Sequence, residues 1–558
     1  MTTLTEHTAT ALEPEVDTVT FEVLSSALTS IAEEMGVVLK RSSYSPIIRD
    51  MDDFSCALFT ADGDLVAQAD YIPAQLGAMS LVVKAIIERW DGHISDGDAF
   101  ICNHPFLGAM HLPDVNVVTP IYVEGILSGW SGTAAHHIDV GGVNPGSEGP
   151  ELEDIFAEGL ILPPVRLSIA GVENPDVISI ITDNIRDPLS TVSDLRAQRA
   201  ACVLGYQRLN ELAGQYGLDV VGSVMRRNLD VVELAVRNAL LDLPDGEGEA
   251  EGFLDDDGLD GPPTRIHAKV SKVGDTLHLD LSGSSAQVRG AMNVPWASAR
   301  AGIVYAVRAV VAPDLGSNDG LLRAVEINAP LGSVLNPMAP AAVSIRHNTC
   351  QRFADTLIRA LTDMWPEAAV GSSTVSFFCM NVGSTSPVTG RPAVMADVVG
   401  GGTGATGEGD GLDGVDTYMS NVGVMPAEVV ETNYRIRILR NEFVPGSQGT
   451  GRFNGGLGLR REYEILEHPQ RATFYAEQTK AGFAPEGASG GSSGQPTRIT
   501  LISPDGTETM VKTKTSTTLQ PGTIVRVETA GGGGFGPAAE RSESARESDE
   551  RNGLVVFP

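Results

Sequence analysis

The sequence predicts a mixed α/β (α+β), multi-domain protein with a β-rich C-terminal half. Three observations carry that expectation. The 558-residue chain is long enough for about three or four compact units. Glycine is abundant at 62 residues while aromatics make up 5%, a balance that favours tight turns and β-connections over long helical bundles. Helical periodicity is clearest before residue 243, and short apolar runs dominate from 435 to 528.

The elements follow in order. Residues 1–14 read as a disordered lead-in, and 15–243 as an N-terminal domain. Leu24, Leu28, Ile31, Met35 and Val38 recur at helical spacing, which predicts a helix over 21–41. DFSCALFTADGDLVAQA predicts a hairpin turning at Asp62-Gly63. RDPLSTVSDLRAQRAACVLGYQRLNELAGQYG predicts a long helix capped by Gly217, and SVMRRNLDVVELAVRNALLDL a second one. Residues 244–263 are acidic and glycine-rich, as expected of a linker or exposed loop. Residues 264–536 form a C-terminal α/β region. It opens on an alternating antiparallel pair, RIHAKVSKVGDTLHLDLSG, followed by helices in SARAGIVYAVRAVV and CQRFADTLIRALTDMW. Residues 537–558 read as a disordered polar tail.

Composition narrows the function. A formal net charge of −33 repels nucleic acid and anionic lipid, so neither is expected as a partner. Cys56, Cys102, Cys202, Cys350 and Cys379 are an odd, scattered set without CxxC spacing, which argues against a disulfide framework or zinc knuckle. The N-terminus lacks a secretory pattern, and no apolar run reaches about 18 residues. The expectation is a reduced, cytoplasmic, soluble protein.

The stretch GAMHLPDVNVVTPIYVEGILSGWSGTAAHHIDVGG holds three of the ten histidines. If Glu124-Gly125 is a two-residue hairpin loop, Val123 pairs with Ile126 and His136 falls opposite Pro113, between His111 and Asp114. Pro113 and Pro120 predict that this arm is an edge or irregular. Two imidazoles and a carboxylate at one point suit manganese, iron or zinc. Hydrogen-bonded core histidines would give the same spacing. His137 would face the other way, to support a ligand or bind substrate, and Asp139 could orient His137 or His136.

DFSCALF…DGDLVAQADYIP, HLPD, AHHIDVGG, GLGLRREYE and GGGGFG, several of them in family order within a match from about residue 18 to 537, together resemble the B-type subunit of the ATP-dependent hydantoinase/5-oxoprolinase family. That group includes acetone and acetophenone carboxylase subunits. The resemblance implies a hetero-oligomer with an A-type ATP-binding hydantoinase subunit. The partner would use ATP and magnesium to phosphorylate the carbonyl oxygen of a small cyclic amide such as hydantoin, 5-oxoproline or a lactam. The B-type chain would then open the ring by water attack at a divalent metal. Asp53, His111, Asp114 and His136 match the family's metal ligands. Carboxylation, or a non-catalytic scaffold for the ATPase, are the competing implications; the acetone carboxylase counterparts are usually longer. The chain departs from the family pattern at Asn103-His104-Pro105, at Gly108-Ala109-Met110, in PAAVSIRHNTCQ and at Tyr418.

Other candidates are weaker. GGTGATGEGDG and GGGGFG lack the lysine and Ser/Thr of a Walker loop, so ATP is expected on another chain. Glu153 or Glu158 could be a general base or bind the amide, with Glu158 the one carried forward as catalytic beside His137 and Asp139. Arg49 could pair with a phosphorylated intermediate or with Asp50 or Asp52. Cys56 reads as a small core residue rather than a nucleophile.

Overall fold

A computed structural model describes residues 16–554 apart from 70, 76, 376 and 513. The expected lead-in over 1–14 and the last four residues of the expected tail lie outside the described residues. Helix α1 (Thr18–Ser42) starts where Asp17 accepts from the amides of Val19 and Thr20. It buries Phe21, Leu24, Leu28, Ile31 and Met35 along one stripe. After the short α2 (Pro46–Arg49), strands β1 (Phe54–Thr60) and β2 (Leu65–Gln68) form the expected hairpin. Next come α3 (Met79–Trp90), β3 (Ala99–Cys102), β4 (Asp114–Val123), β5 (Ile126–His136), β6 (Val165–Ile169) and β7 (Val172–Glu173). The seven strands make one sheet in the order β2-β1-β5-β4-β3-β6-β7. Helix α4 (Pro175–Thr182) leads to α5 (Pro188–Tyr216), which packs on β4, β5 and α1, and to α6 (Leu218–Asp242). Gly217, at φ 90°, ends α5 as expected.

The second sheet contains β8 (Gly246–Leu254), β9 (Thr264–Val273), β10 (Thr276–Asp280) and, after α7 (Trp296–Val311), β11 (Val325–Asn328). Helix α8 (Arg346–Met364) lies across β8 and β9 and against α7. The chain continues through β12 (Phe378–Thr385), β13 (Pro392–Val399), α9 (Ala427–Asn433), β14 (Ile436–Val444) and β15 (Gly458–Ile465). Strands β16 (Gln470–Tyr475), β17 (Arg498–Ile502), β18 (Glu508–Met510), β19 (Lys514–Leu519) and β20 (Ile524–Glu528) precede the terminal helix α10 (Glu543–Arg551). They form sheets β13-β12-β16-β19 and β14-β15-β20-β17-β18, the β-rich half that the sequence predicts.

Two expectations fail. Residues 246–254 are not a linker but strand β8, in register with β9 from Gly246↔Lys272 to Leu254↔Thr264. Glu247, Glu249 and Glu251 alternate outward and pair with Lys269, His267 and Arg265. Gly248 and Gly252 face α8 so closely that a Cβ at Gly248 would meet the Ala360 carbonyl oxygen. The glycines serve packing, not flexibility, and one buried apolar cluster runs from Phe21 to Val527 across the supposed boundary. The tail is also partly ordered. Arg541 bridges Asp410 and Asp549, each at 2.8 Å, and Ser542 caps α10.

The glycine-rich loops near 401 and 531 bury Gly401, Gly402 and Gly531 to Gly534, while Thr406 to Glu408 lie exposed at a bend. They stack with residues 449–456 and 487–494, backbone against backbone. Gly402 donates to Ala530, Gly456 to Thr403, Gly532 to Gly456 and Gly449 to Gly532, at 2.8–3.0 Å. A side chain has no room there, since a Cβ on Gly532 would land on the carbonyl oxygen of Thr403. Thr374, donating to Gly402 at 2.9 Å, ties this layer to the segment that carries Phe377 into the cavity described next.

Candidate functional site

Positive φ angles at Glu124 (51°) and Gly125 (82°) make a tight I′-type turn, so Val123 pairs with Ile126 as expected. A bulge between Ile121 and Tyr122 then shifts the register by one, and His136 stands opposite Asp114 rather than Pro113. Strand β4 is interior, not an edge. Its prolines are tolerated because Pro113 precedes the strand and β3 pairs only up to Val118, short of Pro120.

Five further contacts gather the cluster. The amide of Asp114 donates to the carbonyl of His111, a turn that brings His111 Nε2 to 3.0 Å from Asp114 Oδ2. The amide of His136 donates to the carbonyl of Asp53 at 3.0 Å, just before β1. His136 Nδ1 lies 3.6 Å from Asp114 Oδ1 and 3.8 Å from Asp53 Oδ2. The structure therefore brings together all four residues expected as ligands.

Burial pushes the Asp53 carboxyl up to about 7, against the pull of His136. Burial also opposes charge on His136, but hydrogen bonding to Asp114 and the charge of Asp53 outweigh it and raise that imidazole to about 9. Asp114 is held well below the usual carboxylate range because His111, His136 and Arg346 overcome its desolvation. Burial keeps His111 below its ordinary value.

These residues fit a divalent metal. His111 Nδ1 is 3.0 Å from the Ser344 carbonyl oxygen, the contact that assigns its proton to that nitrogen. The neutral ring then turns a bare Nε2 toward a carboxylate oxygen, and Nε2 has no hydrogen-bond partner. A cation between them removes the repulsion. One ligand atom each from His111, Asp114 and His136 lies within 4.8 Å of the others, and Asp53 adds a second carboxylate. Two imidazoles and two carboxylates suit manganese, iron or zinc.

The cluster lines a cavity between the first sheet, the start of α8 and sheet β13-β12-β16-β19. Sequence reasoning missed the other polar groups there. Glu148 is fixed by Tyr475 (2.6 Å) and Asn381 (2.7 Å), both on its Oε2, and its Oε1 sits 3.6 Å from His111 Nδ1. Arg346 Nη2 reaches Asp114 Oδ2 at 2.5 Å. The His347 ring stacks on Phe377. Arg346 and His347 lie within the departure PAAVSIRHNTCQ, the one signal that could have found them. Glu148, in a loop without periodicity, carried none.

Other candidates lie apart. His137, on the opposite face, is buried with Nε2 2.9 Å from Gln198 Oε1. Asp139 orients neither histidine. It pairs with Arg186 at 2.8 Å and accepts from the amides of Gly141 and Gly146, shaping that loop. Glu158 is buried behind the cavity wall, accepting from Val343 (2.5 Å) and Ser344 (2.7 Å), and burial raises it to about 8. It thus holds the segment whose carbonyl orients His111. Glu153 pairs with Arg289 at the surface, and Arg49 with Asp50. Cys56 is fully buried, its thiol pushed well above the usual range by desolvation. His104 accepts from the Phe106 amide and caps a short turn. Tyr418 donates to Asp355 at 2.9 Å, at φ 52°.

Known proteins are similar to this chain over nearly all of its residues. The family model described as hydantoinase B/oxoprolinase matches residues 17–538. The putative B-type chain of a D-/L-hydantoinase from Pseudomonas sp. is 33% identical over 97% of this chain and 94% of its own length. A 5-oxoprolinase of Dictyostelium discoideum is 31% identical over 94% of this chain, which spans 40% of that longer protein. The structure of an ATP-dependent caprolactamase from Pseudomonas jessenii superposes with a TM-score of 0.90, at 28% identity, covering 97% of this chain and 95% of the other. Among the described residues, no helix is long and apolar enough to cross a membrane. The chain belongs to the hydantoinase B/oxoprolinase family.

Proposed function

We propose that this chain is the B-type subunit of an ATP-dependent amidohydrolase that opens a cyclic amide: hydantoin, 5-oxoproline or a lactam. An A-type partner, using ATP and magnesium, phosphorylates the carbonyl oxygen, and this chain directs water to the activated carbon. The observation that carries the reading is the buried convergence of Asp53, His111, Asp114 and His136, with the His111 ring oriented by Ser344. Those four residues would hold one divalent ion, which when bound polarises oxygen ligands and lowers the pKa of water toward neutrality. The remaining roles fall to the chain itself. Ile47, Ile72, Phe377, Val398 and Met419 give the cavity an apolar wall for a small ring and keep bulk water out. Glu148, pinned on one oxygen, turns the other into the cavity, placed to accept a proton from water or from the ring nitrogen.

The test is reconstitution with an A-type subunit and a screen of hydantoin, 5-oxoproline and caprolactam for ATP-dependent ring opening. Opening of at least one ring is expected. If no ring opens while a ketone and bicarbonate stimulate ATP turnover, the hydrolytic reading is wrong and the carboxylase reading replaces it.

A further inference from the structure

We infer that Arg346, His347 and the first turn of helix α8 form a subsite for an anionic oxygen group, beside the cluster of Asp53, His111, Asp114 and His136. The inference rests on the reading that this cavity receives the substrate. Helix α8 is 19 residues long, and no side chain caps its first amides. Its opening turn presents Arg346, His347, Cys350 and Gln351 to the cavity. An uncapped helix start carries a partial positive charge, which favours an anion, although its first amide, that of Arg346, already donates to the Val343 carbonyl oxygen.

The second observation is independent of the helix. Arg346 is 5% exposed, and although Nη2 bonds to Asp114, its Nε is buried with no acceptor. A guanidinium offers five donors in a fixed fork, more than one carboxylate oxygen can satisfy. His347 Nε2 is likewise buried without a partner. Its ring is held in place, stacked on Phe377 at 5.0 Å and 5.1 Å from Tyr475. A buried donor left empty costs about 1–3 kcal/mol, so an acceptor is expected opposite Arg346 Nε, and the tautomer with its proton on Nε2 would let His347 donate to the same group.

The neighbouring acids do not supply it. Asp114 already receives Arg346 and faces His111, Glu148 Oε2 is committed to Tyr475 and Asn381, and no described carboxylate oxygen, those of Asp53 and Glu148 Oε1 included, hydrogen-bonds to Arg346 Nε or His347 Nε2. A divalent ion on Asp114 would share that carboxylate and leave the Arg346 charge to be balanced from the cavity. A carboxylate or phosphoryl oxygen meets both the donor count and the charge. It has two sources: a carboxylate carried by the substrate, or the phosphoryl group on its activated carbonyl.

The experiment uses the full chain, stripped of metal with a chelator and placed in a buffer without competing anions. Inorganic phosphate and acetate are titrated separately by calorimetry into wild type, Arg346→Lys and His347→Phe. Lysine keeps a cation beside Asp114 while removing the fork, and phenylalanine keeps the stack on Phe377 while removing the free nitrogen, so both variants should fold. Wild type should bind at least one anion. Arg346→Lys should weaken binding by about tenfold, the loss of one charge-assisted hydrogen bond, and His347→Phe should weaken it measurably. Binding of phosphate alone assigns a phosphoryl group, of acetate alone a carboxylate, and of both a shared site. No binding by wild type, or equal binding by all three proteins, overturns the subsite. Metal content before stripping separates the two readings. A metal-free wild type with Arg346-dependent anion binding sinks the metal centre alone, and a metal-loaded one without anion binding sinks the subsite alone.

Discussion

The carbonyl oxygen of Ser344 lies 3.0 Å from Nδ1 of His111, 233 residues away in the chain, and this contact decides which ring nitrogen faces Asp114. It joins the start of α8 to the loop before β4. The purified protein should accordingly carry about one divalent transition ion per chain, the occupancy of a single site. His111→Ala and His136→Ala should each lose most of it. Elemental analysis of the three proteins side by side is the check, and equal metal content in all would sink the ligand assignment.

Asp114→Asn keeps size and shape but removes the ligand charge. In the reconstituted pair, ring opening should fall by about two orders of magnitude or more, the scale of losing metal activation. Assembly with the partner should survive a change inside the cavity, and residual ATP turnover should persist. Phosphate release and ring-opened product are measured together. Near-normal product from a variant shown to lack metal would refute the mechanism.

The isolated chain should not bind ATP with appreciable affinity, because its glycine-rich segments pack against one another instead of around phosphates. Calorimetric titration decides it, and micromolar binding would move the nucleotide site onto this chain.

Glu158 offers a test by pH. Its folded value of about 8 lies above the ordinary 4.5, so between those limits the folded state holds a proton that the unfolded state has released. Its contribution is fully present below 4.5, declines as pH rises, and is lost above about 8, a change on the order of 5 kcal/mol. Glu158→Gln cannot ionise, so its stability relative to wild type should rise between pH 5 and pH 8. Denaturant unfolding at both pH values measures this, and parallel behaviour of the two proteins would show that Glu158 is already charged in the fold.

Gly532→Ala should destabilise the protein by about 3 kcal/mol or more, because its methyl group would overlap the Thr403 carbonyl oxygen with only backbone to move aside. Thermal unfolding or soluble yield reports it. A variant as stable as wild type would mean the layers are not packed as described.

Much of the site was legible because it is local. HLPD and AHH lie on two arms of one hairpin, and two β-type runs around a Glu-Gly turn are enough to fold them together on paper. Arg346 and Glu148 were not legible in that way. They reach the cavity from a helix start and an irregular loop, placed by partners such as Asn381 and Tyr475 far along the chain. Composition misled where it stood in for packing. Acidic, glycine-rich 246–254 became a strand because its glycines fit under a helix, and the polar tail was anchored by one arginine, Arg541. Periodicity gave α1, α5 and α6 closely, since their burial is one-sided or capped by Gly217.

The single-residue bulge in the β4–β5 hairpin acts as a parity switch. Along a strand, odd and even positions look to opposite sides, so an offset of one exchanges neighbours while an offset of two does not. With the bulge, His136 shares a side with Asp114, and His137 turns to Gln198. Were the same residues paired without the bulge, Ala135 would stand opposite Asp114, and His137 would share the side of Asp114 in place of His136. The adjacent histidines in AHH are thus chemically alike and told apart by register alone, which one irregular residue pair at Ile121 and Tyr122 sets in this chain.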